Sequence, residues 1–449
     1  MGGDEEVRAA FIEAATWHGS LERAEAIRAE HPEIIGRDLH TAAILGDDAT
    51  VTRLLADDPG SVSAKAPPYG GDALVYLCLS KYLARDDGSR GELFVRAARA
   101  LLDAGADPNT GFRTSGVHAA FESALYGAAG VAHHPGLTRL LLERGADPND
   151  EEVPYHAPEV WDNRALEELI ACGRLTRDSL ITMLIRKADC HDGDGMRLLL
   201  DAGADVNGMS MWGKTVLHQA LLSDNALSII EQLLDRGADA TIEGTRHDVH
   251  RPAGGLSSVA LAARRGRGDV LAAMDRRGIS TDLQGAEALI AACARGDAAA
   301  VADLARREPA LVDAVKAEGG RLLALFAGNG NTAGVGLLLS LGIPVDDRFD
   351  EGDGYFDESP GSTALHVAAW RARPDLVRFL IARGADVNAE DGRRRTPLML
   401  AVKACVDSYW TERRTPESVA ALLGAGATTR GIAGPCGYAE VDALLGYVD

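Results

Sequence analysis

Apolar residues fall into two short helical registers, one after the other, and the pair recurs along the chain. Around 363–388 the pattern is complete. Leu365, Ala368 and Ala369 share one helical face, and after a polar break Leu376, Val377, Phe379, Leu380 and Ile381 load a second. Thr363 predicts an N-cap, because its hydroxyl can accept from the unpaired amides of a first turn. Gly384 predicts a left-handed stop after the second helix, and 385–388 lead through a turn toward the next pair.

Two phrases carry this pattern. The first closes a helix: LLDAGADPN at 101–109, LLERGADPN at 141–149, LLDAGADVN at 199–207, LLDRGADAT at 233–241 and LIARGADVN at 380–388, with weaker copies at 338–346 and 422–430. Its glycines are Gly105, Gly145, Gly203, Gly237, Gly342, Gly384 and Gly426. The second phrase opens a helix upstream: TVLHQAL at 215–221, TALHVAA at 363–369 and TPLMLAV at 396–402, with a looser form at 39–47. Two motifs recurring in one order and phase are the mark of a repeat array.

These residues resemble the ankyrin repeat, a turn followed by two antiparallel helices. The match rests on Thr215, Leu217 and His218, on Thr363, Leu365 and His366, on Pro397, and on the GAD triplets at 105, 145, 203, 237 and 384. The resemblance implies an all-α, elongated and curved solenoid of about twelve helix-turn-helix units, starting near 5, 36, 72, 110, 153, 177, 210, 245, 285, 317, 350 and 391 and ending in a half-repeat at 431–449. A single unit leaves one helical face bare, so each is stable only against its neighbours. The poorly matched stretch 153–176 is expected to be a degenerate repeat or a junction, dividing an N-terminal stack, 1–152, from a C-terminal stack, 177–449. His218 and His366 are implied to be scaffold residues that bond to neighbouring turns. The stretch Ser408 to Val419, SYW–RR–PESV, is also similar to that of a bacterial ankyrin-repeat group.

Departures from the repeat carry the candidate chemistry. Residues 78–91 and 404–416 are expected to lengthen first helices, and 346–362 to enlarge a turn. The last two adjoin. Asp353, Tyr355, Asp357 and Glu358 fall in the turn, and Trp370, Arg371 and Arg373 end the next first helix. Lys403, Asp407, Tyr409, Trp410, Arg413 and Arg414 follow in the next unit. The family resemblance implies that enlarged turns and first helices line the concave side, where aromatic and arginine side chains are typical anchors. Trp370, Arg373, Tyr409, Trp410, Arg413 and Arg414 are therefore the candidate partner-binding residues. The alternative for the two tryptophans is that they plug the gap beside a lengthened helix.

Composition narrows the partners. A net charge of −21 repels phosphate backbones and anionic membrane surfaces, so nucleic acid and membrane are not expected. Cys78, Cys172, Cys190, Cys293, Cys405 and Cys436 are scattered, as suits a reducing compartment, and the start, MGGDEEVRAAF, lacks an apolar targeting segment; a cytoplasmic setting is expected. Arg outnumbers Lys 40 to 6, a bias that GC-rich, hence bacterial, coding produces.

Catalytic and metal motifs weigh little. GMSMWGKT at 208–215 satisfies the phosphate-loop expression, but it stands at a repeat turn with no strand before it. Cys190, His191 and Asp192 are adjacent and cannot all point one way, and no second ligand pair has zinc spacing. The acidic turn puts Gly352 and Gly354 where a calcium loop needs oxygen ligands. No metal and no cofactor is expected. The reading favours a non-catalytic interaction scaffold that takes a protein partner in its concave groove. The alternative is an enzyme of proton-transfer or cyclisation type, binding a small molecule between 346–362 and 404–416 with Asp353, Tyr355, Asp357 and Asp407 as acid–base groups. A third idea is an antitoxin-like mask for a basic protein.

Overall fold

The computed structural model describes residues 2–85, 90–116, 119–245 and 253–447. Helices dominate, and the strands are two antiparallel ribbons, Gly111–Arg113 with Phe121–Ser123 and Arg348–Phe349 with Ser362–Thr363. Contacts gather the chain into two compact units, Met1–Met211 and Trp212–Asp449. The stretch 153–176, expected as a degenerate repeat or a junction, lies within the first.

The first unit stacks helix pairs such as Leu39–Ile44 with Asp48–Asp57, and Arg177–Asp189 with Gly193–Asp201. Several of its second helices are capped by side chains: Asp47 accepts from the Thr50 amide, His134 from Leu137 and Asp192 from Gly195. The pair at 153–176 is curtailed, because Pro154 and Pro158 leave only a short helix, Val153–His156, and a 3-10 turn before Arg164–Ala171. The expected long helix at 78–91 is instead broken. Ala73–Cys78 stops, Ser80 donates to the Ile44 carbonyl and caps a new turn, Lys81–Ala84, and 86–89 lie outside the described residues.

The second unit repeats the scheme with first helices Val216–Leu222, Ser258–Arg264, Gly285–Arg295, Gly319–Gly328, Ala364–Trp370 and Pro397–Asp407. Thr215 and Thr363 are N-caps, and His218 and His366 complete capping boxes with them. Nδ1 of each histidine accepts from the cap residue's amide, and Nε2 lies 3.1 Å from a carbonyl in the following turn, that of Leu256 or Arg395. Burial holds both imidazoles below their ordinary pKa, so they are neutral tethers between repeats. Residues 208–215 form turns with no strand, so the phosphate-loop expression has no phosphate-loop structure. The acidic stretch 346–362 folds as the second ribbon around a 3-10 turn, Gly354–Phe356, and the 404–416 insertion prolongs its helix to Asp407 before a 3-10 turn at Thr411–Arg413.

Candidate binding cleft in the second unit

Several first helices of the second unit end alike. The amides of Asn225, Arg267, Asn331 and Arg373 donate back five residues to Ala220, Ala262, Phe326 and Ala368 at 2.9–3.0 Å. The residue before each is left-handed: Asp224 (φ 53°), Gly266 (69°), Gly330 (73°) and Ala372 (50°). This is the Schellman stop, and it fixes which residues project from each helix end. Gly330 is needed on two counts, since a Cβ there would also lie 3.2 Å from the Arg373 side chain.

A regular stack brings only adjacent repeats together. Here ends well separated in sequence converge on one carboxylate. Asp224 accepts from Arg265 through Nε and Nη2, both at 2.6 Å, from Arg371 Nη2 at 2.7 Å and from Asn329 Nδ2 at 2.9 Å. Arg371 also reaches Glu358 at 3.2 Å, and its guanidinium lies 3.8 Å from the Phe356 ring centre and 4.3 Å from that of Trp410. All four charged side chains of this chain of contacts, Asp224, Arg265, Arg371 and Glu358, are buried. Burial disfavours the Asp224 charge, but Arg265 and Arg371 outweigh it and hold the carboxyl well below the carboxylate range. Glu358 goes the other way: burial pushes it up to about 7, Arg371 opposes, and Asp353 and Asp224 add repulsion.

Beside this network opens a cleft of about 440 Å³, lined by the projecting positions Asn225, Arg267, Asn331 and Arg373 and by Arg413 of the 404–416 insertion. Arg267 and Arg373 occupy the place where Asp47, Asp192, Asp297 and Asn331 cap second helices, and neither provides a side-chain cap. They reach backward instead, Arg267 to the Asn225 carbonyl at 2.8 Å and Arg373 to that of Gly328 at 3.1 Å. Cations at helix C-termini are favourable there.

Both insertions support the cleft. Phe356, Trp370, Leu400, Ala404 and Trp410 form one buried cluster, with Trp370 edge-on to Trp410 at 6.3 Å and its indole N–H donating to the Phe356 carbonyl. Trp370 and Trp410, expected as partner anchors, are 6% and 7% exposed, so their rings face the protein interior. Trp410 carries Arg371 on one side, and Arg413 lies 5.8 Å from its ring centre. Of the six expected anchors, Arg373 and Arg413 line the cleft. Tyr409 is 55% exposed without lining it, and Arg414 is tied to the Ser408 carbonyl at 2.7 Å.

The four expected acid–base groups do not gather around the cleft. Asp357 is held by Arg393, Arg395 and Lys403, the last at 2.8 Å. Burial opposes its charge, but Lys403 and Arg395 keep its carboxyl below the ordinary range. Asp407 is 3.9 Å from Lys403, Asp353 caps the 3-10 turn through the Tyr355 amide, and Tyr355 is exposed. Among the described residues no group of three or more His, Cys, Asp or Glu is arranged to hold a metal ion. Sequence reasoning missed Asp224, Arg265, Arg267 and Asn329. The available signal was arginine at 267 and 373, in the register where other repeats carry a capping Asp or Asn.

The family described as Ankyrin repeats (3 copies) matches residues 289–391. The chain is an ankyrin-repeat domain protein. It is similar to the E3 ubiquitin-protein ligase KEG of Arabidopsis thaliana, 34% identical over 118 residues, which cover 26% of this chain and 7% of the ligase. It is also similar to the B-cell lymphoma 3 protein homolog of Mus musculus, 26% identical over 60% of this chain and 52% of that protein. The chain thus spans about half or less of the length of these relatives. Among solved structures, the ankyrin repeat domain of Bcl-3 is 22% identical, covering 54% of this chain and 97% of that one with a TM-score of 0.24. The helix pairs and their stops make this ankyrin-repeat domain an all-α stack. Among the described residues no helix is long and apolar enough to cross a membrane.

Proposed function

We propose that this ankyrin-repeat protein is a non-catalytic scaffold that takes a protein partner in the cleft of its second unit, lined by Asn225, Arg267, Asn331, Arg373 and Arg413. The observation that carries the reading is that both insertions contribute to a single wall. Phe356, Trp370 and Trp410 are packed together and buried, and Arg413, 5.8 Å from the Trp410 ring centre, lines the open cleft. Repeat stability alone does not require such a wall, whereas recognition requires side chains held in place by packing. A bacterial, cytoplasmic setting belongs to the same proposal, from the arginine bias and scattered cysteines.

The test is comparative capture from extracts of the source organism with the full chain and with Ala226→Trp. Ala226 is exposed on the cleft lining, so the indole obstructs the opening without entering the core. The expected result is a defined partner retained by the wild type and lost by the variant, with unchanged circular dichroism. Equal retention by both overturns the assignment of the cleft.

A further inference from the structure

The arginines around the cleft are not equally neutralised. Arg265 and Arg371 share Asp224, Arg267 grips Asp269 through Nε and Nη2 at 2.9 Å, and Arg295 is held by Asp275 at 2.8 Å. Among the described residues, Arg373 donates to the Gly328 carbonyl oxygen alone, through Nε at 3.2 Å and Nη2 at 3.1 Å. The carboxylate beside Arg413 is that of its neighbour Glu412, 3.4 Å away and largely in solvent. Among the described residues, Nη1 of Arg413 is buried and has no hydrogen-bond partner. Two guanidiniums therefore face one cleft whose own carboxylates, Asp224 and Asp269, are already bonded to Arg265, Arg371 and Arg267, in a protein whose formal net charge is −21.

We propose that Arg373 and Arg413 form a seat for a phosphoryl group, free or carried as a monoester on a phosphorylated residue, with Arg267 behind them. A phosphate monoester brings a charge of about −1.5 to −2 at neutral pH, which matches two guanidiniums, where a carboxylate would match one. Planar N–H forks suit its oxygens. Burial, reinforced by repulsion from Arg413 and Arg371, lowers Arg373 to about 9, and burial with repulsion from Arg371 lowers Arg413, so an anion between them relieves a cost already present. The inference rests on the reading of this cleft as the binding site and adds the chemistry it recognises.

The full chain is titrated by calorimetry with sodium phosphate, with a short phosphoserine peptide and with the same peptide unphosphorylated, against sodium chloride at matched ionic strength. The expected result is saturable phosphate binding that Arg373→Gln and Arg413→Gln each weaken tenfold or more. Weakened phosphate binding in variants that keep the wild-type circular dichroism is a result that a purely structural arginine would not give. A phosphoserine peptide tenfold tighter than inorganic phosphate assigns a phosphorylated residue, and equal affinity assigns the free ion; either supports the seat. Phosphate acting no differently from chloride, or both variants binding as wild type does, overturns it. If a variant fails to fold, the wild-type comparison of phosphate with chloride still decides. Loss of partner by Ala226→Trp with inert phosphate would leave the scaffold standing and this inference refuted; phosphate binding with partner capture unaltered would do the reverse.

Discussion

Removing the Asp224 carboxylate would leave Arg265 and Arg371 facing one another where water does not reach. Taking one partner from a buried ion pair strands the other charge, at about 3–5 kcal/mol. Asp224→Ala should therefore lower the unfolding free energy of the second unit by that order, read as a shift of the urea midpoint. Glu358 provides a test with a sign. Its folded pKa is about 7, against an ordinary value of 4.5, so the folded form holds its proton more tightly than the unfolded chain does. Its contribution to stability is complete below about pH 4.5 and is lost as pH rises through 7. In Glu358→Gln that loss is absent. The stability difference, variant minus wild type, should grow by roughly 2–3 kcal/mol between pH 5 and pH 8, as each pKa unit is worth about 1.4 kcal/mol. Melting both proteins across that range measures it; other titrating groups are common to both and cancel.

At the scale of the element, the helix pairs were legible because their signals are local. The Thr–x–Leu–His phrase marks a start, as Thr363 and His366 show in their capping box, and Gly384 is the left-handed stop it was expected to be. Arg373 and Arg413 drew attention because they stand in or beside an insertion. Asp224 and Asn329 did not, because they occupy ordinary helix-end positions, and their meeting depends on how the repeats of the unit are set against one another, which no local pattern encodes. The tryptophans were ambiguous for a different reason: an aromatic residue in an insertion serves equally as an exposed anchor or as filler, and only packing decides. Trp410 is packed inside, with Arg371 4.3 Å and Arg413 5.8 Å from its ring centre. Trp410→Ala should cost about 3–5 kcal/mol, as for other large-to-small core changes. Limited proteolysis should then cut within 408–416 at protease levels that leave the wild type intact.

Across the second unit, the Asp224 network changes how stability should be shared. In a nearest-neighbour stack the outer repeat frays independently of distant ones. The helix Val216–Leu222 is followed, after Ser223, by Asp224, which is bonded to Arg371 at the end of Ala364–Trp370, so opening the first helix exposes a charge on which the distant one depends. Local opening should therefore be replaced by opening of both helices together. Hydrogen exchange followed by mass spectrometry tests this on the full chain. In the wild type, peptides covering 216–222 and 364–370 should show similar protection. In Asp224→Asn, which keeps the size of the side chain but loses its charge, 216–222 should exchange at least tenfold faster than 364–370. If the two stay matched in the variant, neighbour packing alone couples them, and the carboxylate contributes stability without cooperativity.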